Sequence, residues 1–147
     1  MSRGFTLLEI IATLSVMAAL VTVVAINAVK TRERHLLQAT GDQVISHIKE
    51  AQKLSVAAAP INTASPPFGI EVTTNRLSIL DNTGTTVKQY NLPANIRFAN
   101  SASLIFATRT GLPSNTNSLR LESNNFYLTV EITQNGQVSL SPVENKT

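Results

Sequence analysis

The spacing of hydrophobic positions changes twice along this chain. Residues 10–29 form a run of twenty residues without a charged side chain. A helix of about 20 residues is about 30 Å long, which matches the hydrocarbon thickness of a bilayer. The run continues past the point where a secretory signal peptide would be cleaved, so we predict a membrane-spanning helix over residues 5–29.

The next stretch, residues 30–58, contains no proline and has apolar residues on one helical face. At 100° per residue a narrow arc contains Leu37, Val44, Ile48 and Ala51, with Ile45 at its edge. Gly41 weakens this helix by about 1 kcal/mol relative to alanine. We therefore predict an amphipathic helix over residues 30–58 that places its apolar face on a sheet. The three prolines that follow predict a loop over residues 59–67.

From residue 68 onward the apolar positions alternate with polar ones. The alternation predicts strands near residues 68–73, 76–80, 86–92, 95–99, 103–108, 118–122, 126–132 and 137–140. Turn sequences separate them, including Thr74-Asn75, Asp81-Asn82-Thr83-Gly84 and Asn135-Gly136. Residues 68–147 therefore predict an antiparallel β domain of about seven or eight strands. Together with the helix, this gives an α+β fold.

Glu9 is the only charged residue between Phe5 and Val29. An ionised side chain within a membrane costs several kcal/mol unless it is paired, on the order of the insertion-scale values. Two interpretations follow. Glu9 pairs with a cation, or its side chain reaches the headgroups from one turn inside the bilayer.

Composition excludes several classes of site. The chain has 147 residues, enough for one domain plus an appendage, and it has no cysteine. Disulfides, thiolate metal sites and cysteine nucleophiles are therefore excluded. From Pro60 onward the sequence contains six basic and five acidic residues, so the domain lacks the electrostatic signature of a nucleic-acid-binding protein.

No residue pattern indicates an enzyme, a metal or a cofactor. His35 and His47 are twelve residues apart on one predicted helix, too far to share a metal ion, and we expect both to be solvated. The glycines form no phosphate-binding loop. Three arginines, Arg97, Arg109 and Arg120, lie on separate predicted strands or loops. They are either solubilising charges or converging contacts for an anion or DNA.

The N-terminal residues Arg3-Gly4-Phe5-Thr6-Leu7-Leu8-Glu9 resemble the class III signal of type IV prepilins and type II secretion pseudopilins. The resemblance implies that residues 1–4 are a leader and that prepilin peptidase cuts between Gly4 and Phe5. It also implies N-methylation of Phe5 by the methyltransferase activity of the same system. The resemblance implies no catalytic residue, metal ligand or cofactor in this chain.

The same resemblance implies a role for Glu9 in filament assembly. Its carboxylate would pair with the Phe5 amine of a neighbouring subunit. The implied partners are the peptidase, other pilin or pseudopilin subunits, the inner-membrane assembly platform and membrane lipid. The implied location is the bacterial inner membrane, with one span and an extracytoplasmic C-terminal domain, and then the filament. Flanking charges do not decide the orientation, because basic residues lie on both sides of the apolar run.

Three further segments resemble the GspH/FimT-type minor pilin and pseudopilin branch. They are Leu92-Pro93, residues 106–111 and residues 135–138. The position after Gly136 is often basic in that branch, whereas this chain has Gln137. The sequence thus favours a minor structural subunit and leaves open a DNA-binding minor pilin acting in DNA uptake. It does not distinguish a pilus from a secretion pseudopilus.

Overall fold

The computed structural model describes residues 6–57, 68–81 and 83–146. The predicted leader, the cleavage pair Gly4 and Phe5, and the predicted loop 59–67 lie outside the described residues. Met1–Glu33 and Arg34–Thr147 form two separate compact units.

One long helix, α1 (Leu7–Ala57), accounts for both predicted helical segments. Thr6 caps its first turn. The Glu9 backbone N–H donates to the Thr6 carbonyl at 3.0 Å and to the Thr6 hydroxyl at 3.3 Å. The helix ends at Ala57, three residues before Pro60, whose ring is incompatible with a continuing helix. The prediction of a long N-terminal helix is confirmed.

The described part of the second unit contains nine antiparallel strands in two sheets. They are β1 (Gly69–Thr73), β2 (Arg76–Leu80), β3 (Thr86–Asn91), β4 (Arg97–Phe98), β5 (Ala102–Ile105), β6 (Asn117–Glu122), β7 (Phe126–Ile132), β8 (Val138–Leu140) and β9 (Glu144–Asn145). The first sheet has the order β3-β2-β1-β5. The second has the order β4-β6-β7-β8, with β9 also paired to β7. The α+β class is therefore confirmed.

The strand set differs from the sequence prediction at its least periodic positions. Strand β4 covers two residues of the predicted 95–99, and β5 ends at Ile105. The ninth strand, β9, has no alternating pattern that could predict it. It pairs Phe126 with Asn145 and Tyr127 with Glu144. Pairing with β7, rather than local propensity, defines this short strand.

The core of the second unit lies between α1 and the inner faces of the two sheets. The helical stripe predicted from sequence is buried, with Leu37, Val44, Ile48 and Ala51 at most 3% exposed. Cross-strand pairs such as Ile70 with Ile79 and Leu121 with Leu128 fill the sheet side. Other fully buried side chains include Val72, Leu77, Phe98, Phe106, Leu119, Val130 and Ile132.

Gly41 has a packing role that the sequence did not reveal. A Cβ atom at this position would lie 3.0 Å from Leu140 Cδ1 and 3.2 Å from Leu128 Cδ1 and Cδ2. The absence of a side chain therefore lets α1 approach the second sheet closely. The helix-propensity cost of glycine is offset by the contact that it permits.

Candidate functional site

The first unit carries an apolar surface that nothing in the described residues covers. Leu7 and Leu8 are 77% and 79% exposed, and the large apolar residues onward to Val29 remain about half exposed or more. By length and composition α1 is suited to a membrane span or signal anchor. It is the one described helix with this property. The part of α1 that is suited to a membrane therefore exposes an apolar surface.

Hydroxyl groups within this apolar stretch are satisfied by the helix itself. Thr13 donates to the Ile10 carbonyl at 2.9 Å, Ser15 to Ile11 at 2.8 Å, and Thr22 to Ala18 at 2.9 Å. Because hydrocarbon offers no hydrogen-bond partner, this back-bonding makes the hydroxyl groups compatible with lipid.

Glu9 lies exposed in the first turn of α1. Outside the regular helix pattern, its backbone N–H donates to Thr6 and its backbone carbonyl accepts from the Thr13 hydroxyl at 3.0 Å. Among the described residues its carboxylate has neither an ion pair nor a hydrogen bond. A carboxylate in the first helical turn interacts favourably with the positive end of the helix dipole. The geometry leaves this carboxylate free to accept a cation from outside the described chain.

Sequence reasoning missed a second property of Glu9. Thr6-Leu7-Leu8-Glu9 has the spacing of a capping box, in which threonine and glutamate occupy the N-cap and N3 positions. The threonine half is formed, since the Thr6 hydroxyl accepts from the Glu9 N–H. The spacing was visible in the sequence. Any test of Glu9 must therefore separate a role in capping from a role in assembly.

Two of the three candidate arginines converge on one carboxylate, Glu122. Arg120 Nε lies 3.0 Å from Glu122 Oε1, and Arg97 Nη2 lies 3.9 Å from Oε2. Lys146 Nζ lies 2.7 Å from the same Oε2. The hydrogen bond from Lys146 is the main reason that the pKa of Glu122 is lowered, with further contributions from the arginines. These cations are therefore occupied in part by an internal partner.

Arg109 does not join that cluster. It is exposed in the turn after β5, with a φ angle of 71°. Left-handed backbone is uncommon for a residue with a side chain. The Gly111 N–H donates to the Ala107 carbonyl, and the Ala107 N–H donates to the Leu112 carbonyl, both at 2.8 Å. The three arginines thus belong to two different places on the domain.

A second group of titratable side chains joins α1 to strand β3. Glu50 accepts hydrogen bonds from Lys88 and, at 3.0 Å, from the Tyr90 hydroxyl. The Lys88 bond is the largest cause of the lowered pKa of Glu50. His47 stacks on Tyr90, and burial there lowers its pKa despite the opposing effect of Glu50. His47 is less solvated than predicted, since its side chain is 22% exposed, whereas His35 is exposed as predicted.

Among the described residues no group of three His, Asp or Glu side chains is placed to hold a metal ion. No family model matches this chain, and neither a curated protein nor a solved structure is found that is similar to it.

Proposed function

We propose that this chain is a minor structural subunit of a type IV pilus or type II secretion pseudopilus. Prepilin peptidase cuts between Gly4 and Phe5, and the new Phe5 amine is methylated. The chain then resides in the inner membrane with one span and an extracytoplasmic domain. Residues 5–29 pass from lipid into the helical core of a filament.

One observation carries the proposal: an exposed, apolar first part of α1 with a single carboxylate, Glu9, in its first turn. A plain membrane anchor accounts for the apolar surface, and for the carboxylate it offers only the capping and helix-dipole roles, neither of which requires a charge within the membrane. A filament of packed helices uses both, because neighbouring apolar helices replace lipid and a neighbour's N-terminal amine pairs with Glu9. Each of these charges alone would be unfavourable in the bundle, whereas the pair is tolerated.

DNA uptake, the alternative left open by the sequence, has no specific observation in its favour among the described residues. Arg97, Arg120 and Lys146 surround Glu122, and Arg109 lies elsewhere. The structural-subunit function is therefore the one that we propose.

Intact mass of the membrane-associated protein tests processing. We expect loss of residues 1–4 and one added methyl group on Phe5. Gly4→Glu should leave the precursor uncut. An assembled protein that begins at Met1 or Ser2 would contradict the proposal.

Glu9→Gln tests assembly while preserving the cap, since glutamine serves at the N3 position of a capping box as glutamate does. If Glu9 pairs with a Phe5 amine, the variant leaves that cation unpaired. Removing one partner of a buried pair costs about 3–5 kcal/mol, roughly a hundredfold or more in association. The measurement compares membrane-resident with filament-incorporated protein when the assembly machinery is co-expressed.

We expect normal cleavage and normal membrane levels for Glu9→Gln, with little or no incorporation into sheared filaments. Thr6→Ala is the matched control, because it removes the hydroxyl cap and keeps the carboxylate. The control should incorporate. Equal incorporation of Glu9→Gln and the unmodified chain would show that Glu9 does not dock a neighbour.

A further inference from the structure

The end of α1 and two loops line an open groove of about 520 Å³ in the second unit. Two of the segments that the sequence analysis singled out, residues 106–111 and 135–138, contribute glycines to it. Gly111 and Gly136 both line the groove beside helix residues from Lys49 to Ala57. Residues that are distant in sequence thus form one surface that the proposed assembly function does not use.

Hydrogen bonds join the helix to the two loops that line the groove. The Gln52 side-chain amide donates to the Gly136 carbonyl at 3.1 Å. One turn later, the buried Ser55 hydroxyl contacts the carbonyl oxygens of Phe106 and Ala107 at 3.0 and 2.9 Å. The helix is therefore fastened to both loops, which fixes their spacing at these contacts.

The two glycines allow the loops to come this close. Gly111 has a φ of 64°, and a Cβ there would lie 2.9 Å from Val56 Cγ2 and 3.0 Å from the Gln52 carbonyl oxygen. Gly136 has a φ of 80°, and a Cβ there would lie 3.2 Å from Leu112 Cδ2. Both backbones need a conformation that glycine adopts readily.

The surface of the groove combines exposed aliphatic groups with positive charge. Val56 and Leu112 are 45% and 39% exposed. Lys49 and Lys53 stand one helical turn apart on the same side of α1. Among the described residues that line the groove none is acidic, and neither lysine forms an ion pair within the described part of the chain.

We propose that this groove binds an extended peptide segment of another protein that carries acidic side chains beside a leucine-like side chain. The aliphatic group would cover Val56 and Leu112, and the carboxylates would face Lys49 and Lys53. The exposed aliphatic side chains of the groove favour such a peptide over a nucleic acid, whose phosphates would interact with the two lysines alone. A neutral apolar peptide would gain nothing from the two exposed lysines.

The groove lies wholly within residues 34–147 and goes beyond the proposed assembly function. Peptide binding and filament incorporation can therefore succeed or fail separately. The Glu9→Gln variant should bind the peptide as the unmodified chain does.

The test uses the full chain in detergent micelles and fluorescence anisotropy of labelled hexapeptides. The probe is Gly-Glu-Leu-Leu-Glu-Gly. One comparison peptide replaces both glutamates by lysine, and another replaces both leucines by serine. We expect measurable binding of the probe alone, because only it matches both the charge and the aliphatic surface.

Variants then locate the binding. We expect Lys53→Glu to lower the affinity for the probe about fivefold or more, since an exposed charge pair contributes up to about 1 kcal/mol. Leu112→Ser should weaken it similarly. Arg76→Glu is the matched control, because it makes the same charge change at an exposed site on β2 and should bind normally.

Three results would overturn the proposal. The first is equal binding of the acidic and basic peptides. The second is a pair of observations: a random-sequence oligonucleotide displaces the probe, and the serine peptide binds as tightly as the probe does. Together they would assign the groove to nucleic acid. The third is a loss of probe binding as the concentration of the chain rises. That result would show that a second copy of the chain occupies the groove.

Discussion

The ring of His47, on α1, lies flat against the ring of Tyr90, on β3, with centroids 3.3 Å apart and planes inclined by 19°. The same tyrosine donates its hydroxyl proton to Glu50, which also accepts from Lys88. Helix and sheet are therefore joined by a stacked pair and a hydrogen-bonded carboxylate. This joint makes the stability of the domain depend on pH.

Acidification should destabilise the domain through His47. Its pKa in the folded chain lies below the ordinary value of 6.5, mainly because of burial, so the unfolded chain binds the proton more readily. The stabilisation is fully present above about pH 6.5 and is lost as the pH falls from there toward the folded pKa. Circular dichroism during chemical denaturation at several pH values between about 7 and 5 measures this loss.

His47→Gln should flatten that pH dependence, whereas His35→Gln, at an exposed site on the same helix, should keep it. Glu50 contributes in a lower range, since its lowered pKa means that its stabilisation is lost only as the pH falls below the ordinary value of 4.5. An unchanged pH profile in His47→Gln would refute the assignment to this histidine.

Gly111→Ala should destabilise the chain by about 2 kcal/mol or more. The left-handed backbone alone costs an alanine roughly 1–2 kcal/mol, and the added Cβ meets Val56 and the backbone of Gln52. Gly84→Ala is the matched control, with a φ of 80° and no atom of the described residues within 4 Å of the added Cβ. Thermal denaturation of both variants separates strain from crowding, and equal losses would show that crowding at Gly111 is absent.

Glu122→Gln should loosen the C-terminal strand β9. The variant removes the charge around which Arg97, Arg120 and Lys146 converge. Because these cations are partly exposed, we expect a loss of only about 1 kcal/mol. Faster hydrogen exchange of the Lys146 amide, which donates to the Asn125 carbonyl at 2.8 Å, is the local measurement.

Glu131→Gln is the control for Glu122, since Glu131 is exposed on β7. The pKa of Glu122 is lowered, so the contribution of the cluster should disappear as the pH falls below the ordinary value of 4.5. Equal exchange in both variants would mean that β9 does not depend on the cluster.

Gly41→Val should destabilise by about 2 kcal/mol, because the added atoms crowd Leu128 and Leu140 where α1 meets the second sheet. Ala39→Val, at an exposed site on the same helix, should lose only a few tenths of a kcal/mol through helix propensity. Chemical denaturation compares the two. A Gly41→Val chain as stable as Ala39→Val would show that the close approach is not needed.

Local pattern predicted much of the fold. The charge-free run and the stripe through Leu37, Val44 and Ile48 predicted α1, because helical periodicity is a property of neighbouring residues. Alternation predicted most strands, and the Asp81–Gly84 and Asn135-Gly136 turns were read correctly from residues that favour tight turns. Glu9 stood out for a similar reason, as one charge in an apolar segment.

Tertiary structure alone decided how these elements meet. Four features join residues far apart in sequence: the division of the strands into two sheets, the pairing of β9, the stacking of His47 on Tyr90, and the placement of Gly111 and Gly136 on one groove. Alternation of apolar and polar residues predicts that a strand has a buried face, but it does not predict which strand pairs with it. Partner choice follows from packing the whole core at once, and for that reason the sequence could rank Gly41 only as a weak point in a helix.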